Sequence, residues 1–135
     1  MLTKVLLVGC FLFGNSLVFA QLGTPWPCAD GFTEGNSRIR VSSDASAGLA
    51  EKKVLPDVSD LKGTKTSSTV VVRVLTDKNG DVQCAEAWSG DASLFQRSRA
   101  AMMQWHFKPY LLNGQPFFME TVREFVFKKG KVTAR

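Results

Sequence analysis

At 135 residues, with a net charge of +5, three cysteines and 44% apolar side chains, the chain supports one modest core rather than two domains. The charge excess is mild, and no Lys/Arg tract interleaved with aromatic residues accompanies it, which argues against a nucleic-acid groove. Nucleic acid is therefore not an expected partner.

The chain opens with a short cationic start, Met1 to Lys4. Val5 to Phe19 is then apolar apart from Asn15 and Ser16, and Val18-Phe19-Ala20 ends small enough for a signal peptidase. Residues 1–20 read as a secretory signal cut between Ala20 and Gln21. Leu7-Val8-Gly9-Cys10 looks like a lipoprotein box, but cutting there leaves too short an apolar region to engage the export machinery. An uncleaved anchor is the other alternative, and crossing about 30 Å of hydrocarbon takes about twenty apolar residues, more than this run supplies. Loss of the signal removes Lys4 and leaves a net charge of +4 together with Cys28 and Cys84. An oxidising compartment favours a bridge between these two over free thiols.

Residues 21–37 are Gly, Pro, Thr and Asp with a few aromatics, an irregular arm that Cys28 would attach. The folded domain is expected over residues 38–135. Arg38 to Ser42 reads as a short extended piece, and Ala45 to Val54 as a short helix or turn stopped by Pro56. Asp57 to Ser68 is polar and reads as a loop.

Thr69 to Thr76 is dense in β-branched residues, with Val70, Val72 and Val74 on one face and Val71, Arg73 and Leu75 on the other. Asn79-Gly80 then predicts a tight hairpin, both residues taking positive φ, and Asp81 to Trp88 returns antiparallel. Ser93-Leu94-Phe95-Gln96 has the spacing of a capping box at a helix start. Leu94, Ser98, Ala101, Met102 and Trp105 form the buried stripe of that helix, while Arg97, Ala100 and Gln104 face away. After Pro109 and an Asn113-Gly114 turn, Phe117 to Lys128 is the last strand. It carries Phe118, Val122 and Val126 on one side and Met119, Arg123, Phe125 and Phe127 on the other, so neither face is bathed in water.

No residue pattern here demands a chemical step. Asp77, Asn79 and Asp81 resemble a calcium loop, but Gly80 comes too early and Trp88 stands where a closing Glu belongs, so turn chemistry explains them. His106 is the only histidine, and neither it nor Cys84 lies in a nucleophile motif. The chain is read as a non-enzyme without metal or cofactor. Arg97, Arg99, Lys108, Arg123, Lys128, Lys129 and Lys131 offer a basic surface for a cell-wall glycan, against the plainer reading of solvated charge.

Trp105-His106-Phe107-Lys108-Pro109 resembles the segment that closes the helix in the C-terminal domain of TonB, the energy transducer of Gram-negative envelopes. The surroundings are similar too: Val70 to Val74 with Asp77, Asn79-Gly80 and Val82, then Ser89-Gly90, then Leu111-Leu112-Asn113-Gly114-Gln115-Pro116, with Lys52 to Pro56 as the lead-in. The motif residues carried over are Trp105, Phe107, Lys108 and Pro109. The resemblance implies an α+β fold: a three-stranded antiparallel sheet in the order β-β-α-β, with the last strand beside the first and a helix on one face. It also implies a periplasmic domain that docks an extended peptide of an envelope protein, such as a TonB-dependent outer-membrane transporter, by strand addition. The docking edge would be the last strand, at Met119, Thr121, Val122, Arg123, Phe125 and Phe127. An open terminal strand also invites pairing between copies, so a homodimer is an expected partner. The alternative functions are a structural peptidoglycan-binding module and a self-associating domain without energy transduction.

Overall fold

The structure is a computed structural model and describes residues 38–135. The expected signal and arm, with Cys10 and Cys28, lie outside the described residues. In chain order the elements are β1 (Arg38–Arg40), α1 (Ser43–Ala47), β2 (Ala50–Lys52), β3 (Ser67–Thr76), β4 (Val82–Ser89), α2 (Phe95–Met102), β5 (His106–Phe107), β6 (Tyr110–Leu112), β7 (Gln115–Lys128) and β8 (Lys131–Ala134). Single 3-10 turns occupy Ser59–Leu61 and Ala92–Leu94. The fold is α+β, mostly strands with two helices, and no helix among the described residues is long and apolar enough to cross a membrane.

Alternation in β3 and β7 builds the core. Val70, Val72 and Val74 stand opposite Phe125, Arg123 and Thr121, and this row faces the helices. α2 lays its stripe against it: Leu94, Ser98, Ala101, Met102 and Trp105 are all buried, while Ala100 and Gln104 are exposed. The buried stripe is the one read from the sequence, although Leu94 and Trp105 flank the helix rather than belong to it, and Arg97, expected to face away, is half-buried. The helix start differs. Asp91, rather than Ser93, supplies the cap, its Oδ1 accepting from both the Ser93 amide and the Ser93 hydroxyl, so Ser93 is a donor and no capping box forms. Hydrogen bonding to Ser93 holds the Asp91 carboxyl below its ordinary range.

The sheet is larger than the three strands expected. β4, β3, β7 and β1 lie side by side, β6 and β8 also pair with β7, and β2 and β5 form a separate two-stranded sheet. Among the described residues only β1 runs parallel to its partner.

The consequence is a correction to the docking edge. β7 is an interior strand: β3 lines one flank from Met119 to Lys128, and the other flank is taken by β6, then β1 at Phe118 to Glu120, then β8 from Phe125 to Lys128. Val41 donates to the Glu120 carbonyl, and Glu124 exchanges both backbone bonds with Arg135. Among the described residues only Thr121 to Arg123 lack a strand on that flank, and α1 packs over the helix-facing side of this stretch, with Thr121 Oγ1 donating to Ser46 Oγ at 2.8 Å. Met119, Thr121, Val122, Arg123, Phe125 and Phe127 therefore do not form an open rim. Short β1 and β8, with the bonds at Glu120 and Glu124, take up most of the backbone groups that a visiting strand would use and leave only a gap around Val122.

The first hairpin also differs in detail. Gly80 N–H donates to the Asp77 carbonyl, and Asp77 Oδ1 accepts the amides of Asn79 and Asp81. Only Gly80 takes positive φ (+88°), so the loop is a type I turn followed by a glycine bulge rather than a two-residue primed turn. The second Asn-Gly turn behaves as expected, with Asn113 at φ +52° and Gly114 at +76°.

The polar segment before β3 is stapled to α2. Arg97 donates from Nη1 to Asp60 Oδ1 at 2.7 Å and from Nη2 to Oδ2 at 2.9 Å, and also to the Asp57 carbonyl. This bidentate pair holds the Asp60 carboxyl below its ordinary 3.8. A depressed folded pKa adds stability that is whole above the unfolded value and lost as pH falls through the folded one. Denaturation midpoints of the wild type and Asp60→Asn are accordingly expected to differ at neutral pH and converge below pH 3.8. A constant difference across that range would refute the staple.

Candidate functional site

The long strand of the main sheet with one flank unoccupied among the described residues is β4, which pairs only with β3. The direction of its backbone groups follows from the ladder. Glu124 bonds outward to Arg135, so Val71 opposite it turns to β4 and Val72 turns to β7. Val72 and Val74 stand opposite Ala87 and Ala85, whose amides and carbonyls must then point away from the sheet. Arg99 agrees with this, its Nε donating to the Ala85 carbonyl at 3.1 Å from α2. One outward carbonyl is thus capped, and the backbone of Ala87 stays on the open flank.

The start of that flank is closed. Phe107 N–H donates to the Gly80 carbonyl, and Asp81 pairs with His106 in an isolated bridge. The open length therefore runs from Gln83 toward Ser89 and ends at Trp88, which is 56% exposed. The Arg73 guanidinium lies 5.2 Å from the Trp88 ring centroid, and Trp88 Nε1 donates to Glu86 Oε2.

The sheet face opposite α2 carries an ionic cluster that the sequence reading did not single out. Glu120 is buried and receives Arg73 through Nε and Nη2, both at 2.7 Å, with Arg38 at 3.1 Å and Arg40 at 3.7 Å. Glu120 stands between Phe118 and Val122 on a row that also carries Glu124, and an acidic residue flanked by apolar alternates was the available signal. A groove of about 510 Å³ crosses this face past Trp88, Arg73, Glu120 and Val122.

Cys84 lies on the same face, packed with Leu75 and Phe118, and it is disulfide-bonded. Its partner lies outside the described residues. A non-reducing peptide map is expected to recover Cys28 joined to Cys84. Reduction is expected to cost about 4 kcal/mol of stability on the chain-entropy model for a loop of that size. A Cys10 adduct in the map would reject the pairing.

The Trp105 to Pro109 segment turns out to be a clasp. Trp105 Nε1 donates to the Val54 carbonyl at 2.8 Å, and the Trp105 ring meets Phe107 at 5.9 Å and Phe125 edge-on at 6.0 Å. Phe107 is buried in the two-stranded sheet against Ala50, and Lys108 donates its amide to the Leu49 carbonyl at 2.7 Å. The Lys108 side chain and Pro109 are exposed. His106 Nδ1 lies 2.8 Å from Asp81 Oδ1, and Nε2 lies 3.5 Å from Glu51 Oε2. The basic residues do not make one surface. Arg97 is held by Asp60, Arg99 reaches the Ala85 carbonyl, and Arg123 is buried.

Comparison with protein-family models, curated proteins and solved structures gives no match for this chain.

Proposed function

We propose that this chain is a periplasmic protein-binding module of the TonB C-terminal type, which takes an extended segment of an envelope protein by strand addition. The export signal and the motif run around Trp105 to Pro109 support this reading. The observation that carries it is the flank of the eight-residue β4, which is paired on one side only among the described residues and open from Gln83 to Trp88. The docking edge therefore moves from the last strand to β4. Main-chain bonds at Ala87 supply affinity, and Trp88 offers a rigid anchor at the end of the track. The partner class is an extended segment such as the N-terminus of an outer-membrane transporter, and the module carries out no chemical step.

The test is a calorimetric titration of the full chain with such peptides, comparing Ala87→Pro and Val122→Pro. Proline at Ala87 removes an outward donor and leaves the β3 ladder untouched. Loss of one main-chain bond is expected to weaken binding about tenfold. Val122→Pro, within the short gap in β7, is expected to bind as the wild type does. Equal binding by Ala87→Pro and the wild type would remove the β4 edge.

A further inference from the structure

Five side chains of β7 point toward the helices, at positions 119, 121, 123, 125 and 127, and the middle one is a cation. Arg123 is 3% exposed. Its Nη1 donates to the Ser43 carbonyl at 2.6 Å and lies 3.4 Å from Ser46 Oγ, while its Nε is buried without a partner. No carboxylate among the described residues lies within ion-pair distance of it. Burial pushes the guanidinium below its ordinary range, opposed in part by Glu124 and Asp44 nearby. A charge withdrawn from water is costly unless an anion meets it.

Beside this guanidinium, a cavity of about 290 Å³ opens between α1 and the end of the sheet, walled by Ser43, Asp44, Ala47, Arg123, Glu124 and Arg135. Arg135 is already matched through its Nε to Glu124. Arg123 is the unmatched charge, and the cavity beside it is large enough for one small polar group.

We propose that this cleft binds a single carboxylate group, received by Arg123. A planar carboxylate fits the guanidinium fork, and Ser43 supplies a further polar wall. Asp44 and Glu124 at the rim tell against a dianion such as phosphate, which would meet both with twice the charge. The carboxylate comes either from a free small acid or from an acidic side chain of a docked segment. The site is separate from the β4 flank and does not depend on strand addition there.

The experiment titrates the full chain with sodium acetate and, separately, with the peptide acetyl-Gly-Asp-Gly-amide, at ionic strength fixed with sodium chloride. Backbone amide and arginine Nε–H resonances are followed by NMR. Saturable shifts confined to α1, Arg123, Glu124 and Arg135 are expected. Tighter binding of the peptide assigns a polypeptide source, and equal or tighter binding of acetate assigns a free acid. Arg123→Met is expected to weaken binding at least tenfold. Ala47→Leu, which fills the cavity from α1 and leaves the guanidinium in place, is expected to do the same and keeps the test valid if Arg123→Met fails to fold. Non-saturating shifts, phosphate binding tighter than acetate, or undiminished binding by Ala47→Leu would each overturn the proposal.

Discussion

Gly80→Ala is expected to destabilise the domain by about 4 kcal/mol, at the severe end for a single substitution. Two costs combine. Gly80 sits at φ +88°, where an L side chain is strained by roughly 1–2 kcal/mol. A Cβ there would also fall 1.7 Å from the Phe107 carbonyl oxygen and 2.7 Å from its carbon. These are backbone atoms fixed by the Phe107 N–H to Gly80 carbonyl bond and by pairing with β2, so neither neighbour can swing aside. Gly114→Ala is the matched control. Its φ of +76° is similar but nothing lies within 4 Å of the added Cβ, so only the strain of about 1 kcal/mol should appear. Urea midpoints of the two variants separate the terms, and equal losses would mean that the contact with Phe107 is not rigid. Asn79→Ala should cost little, because only the Asn79 backbone N–H enters the turn.

The contrast between the two Asn-Gly turns shows what alternation and turn residues reveal and what they hide. The dipeptide announces a reversal in both places, but the side chain of Asp77 accepts two loop amides and draws the first turn into a longer loop. Periodicity told which face of β3, β7 and α2 is buried, because burial acts on side chains and side chains carry the period. It could not tell which flank of a strand is occupied. Backbone hydrogen-bonding groups are the same in every residue but proline, so the alternation of β7 reads identically for an edge and for an interior strand. The three-residue β1 and four-residue β8 that close its outer flank are too short to show a period at all.

Charged residues inside apolar rows were the signal that remained to be used. Arg123 lies between Thr121 and Phe125 on the helix-facing row and read as one more surface cation. Its position in the alternation already placed it inside. Glu120 on the opposite row likewise pairs in register with Leu75, next to Arg73, its closest ionic partner. A charge on a buried row asks for a partner, and among the described residues one of the two has an ionic partner and the other does not.

Trp105→Ala is expected to cost about 3–5 kcal/mol, from the cavity left in the core and from the Val54 carbonyl losing its donor. Trp105→Phe keeps ring contact with Phe107 and Phe125 but not the indole N–H, and should lose roughly 2 kcal/mol. The two variants bear on what the motif does. Trp105 is 2% exposed and Phe107 is wholly buried, so neither can touch a partner docked along β4 without unfolding the α2 end. If the motif acts as a clasp, peptide affinity of the folded fraction should be the same in Trp105→Phe as in the wild type. Total binding by Trp105→Ala should fall only as its folded population falls. Calorimetry at a temperature where circular dichroism reports Trp105→Phe fully folded makes the comparison direct. A tenfold loss of affinity there would place Trp105 in the recognition surface and would move the docking track from the β4 flank to the end of α2.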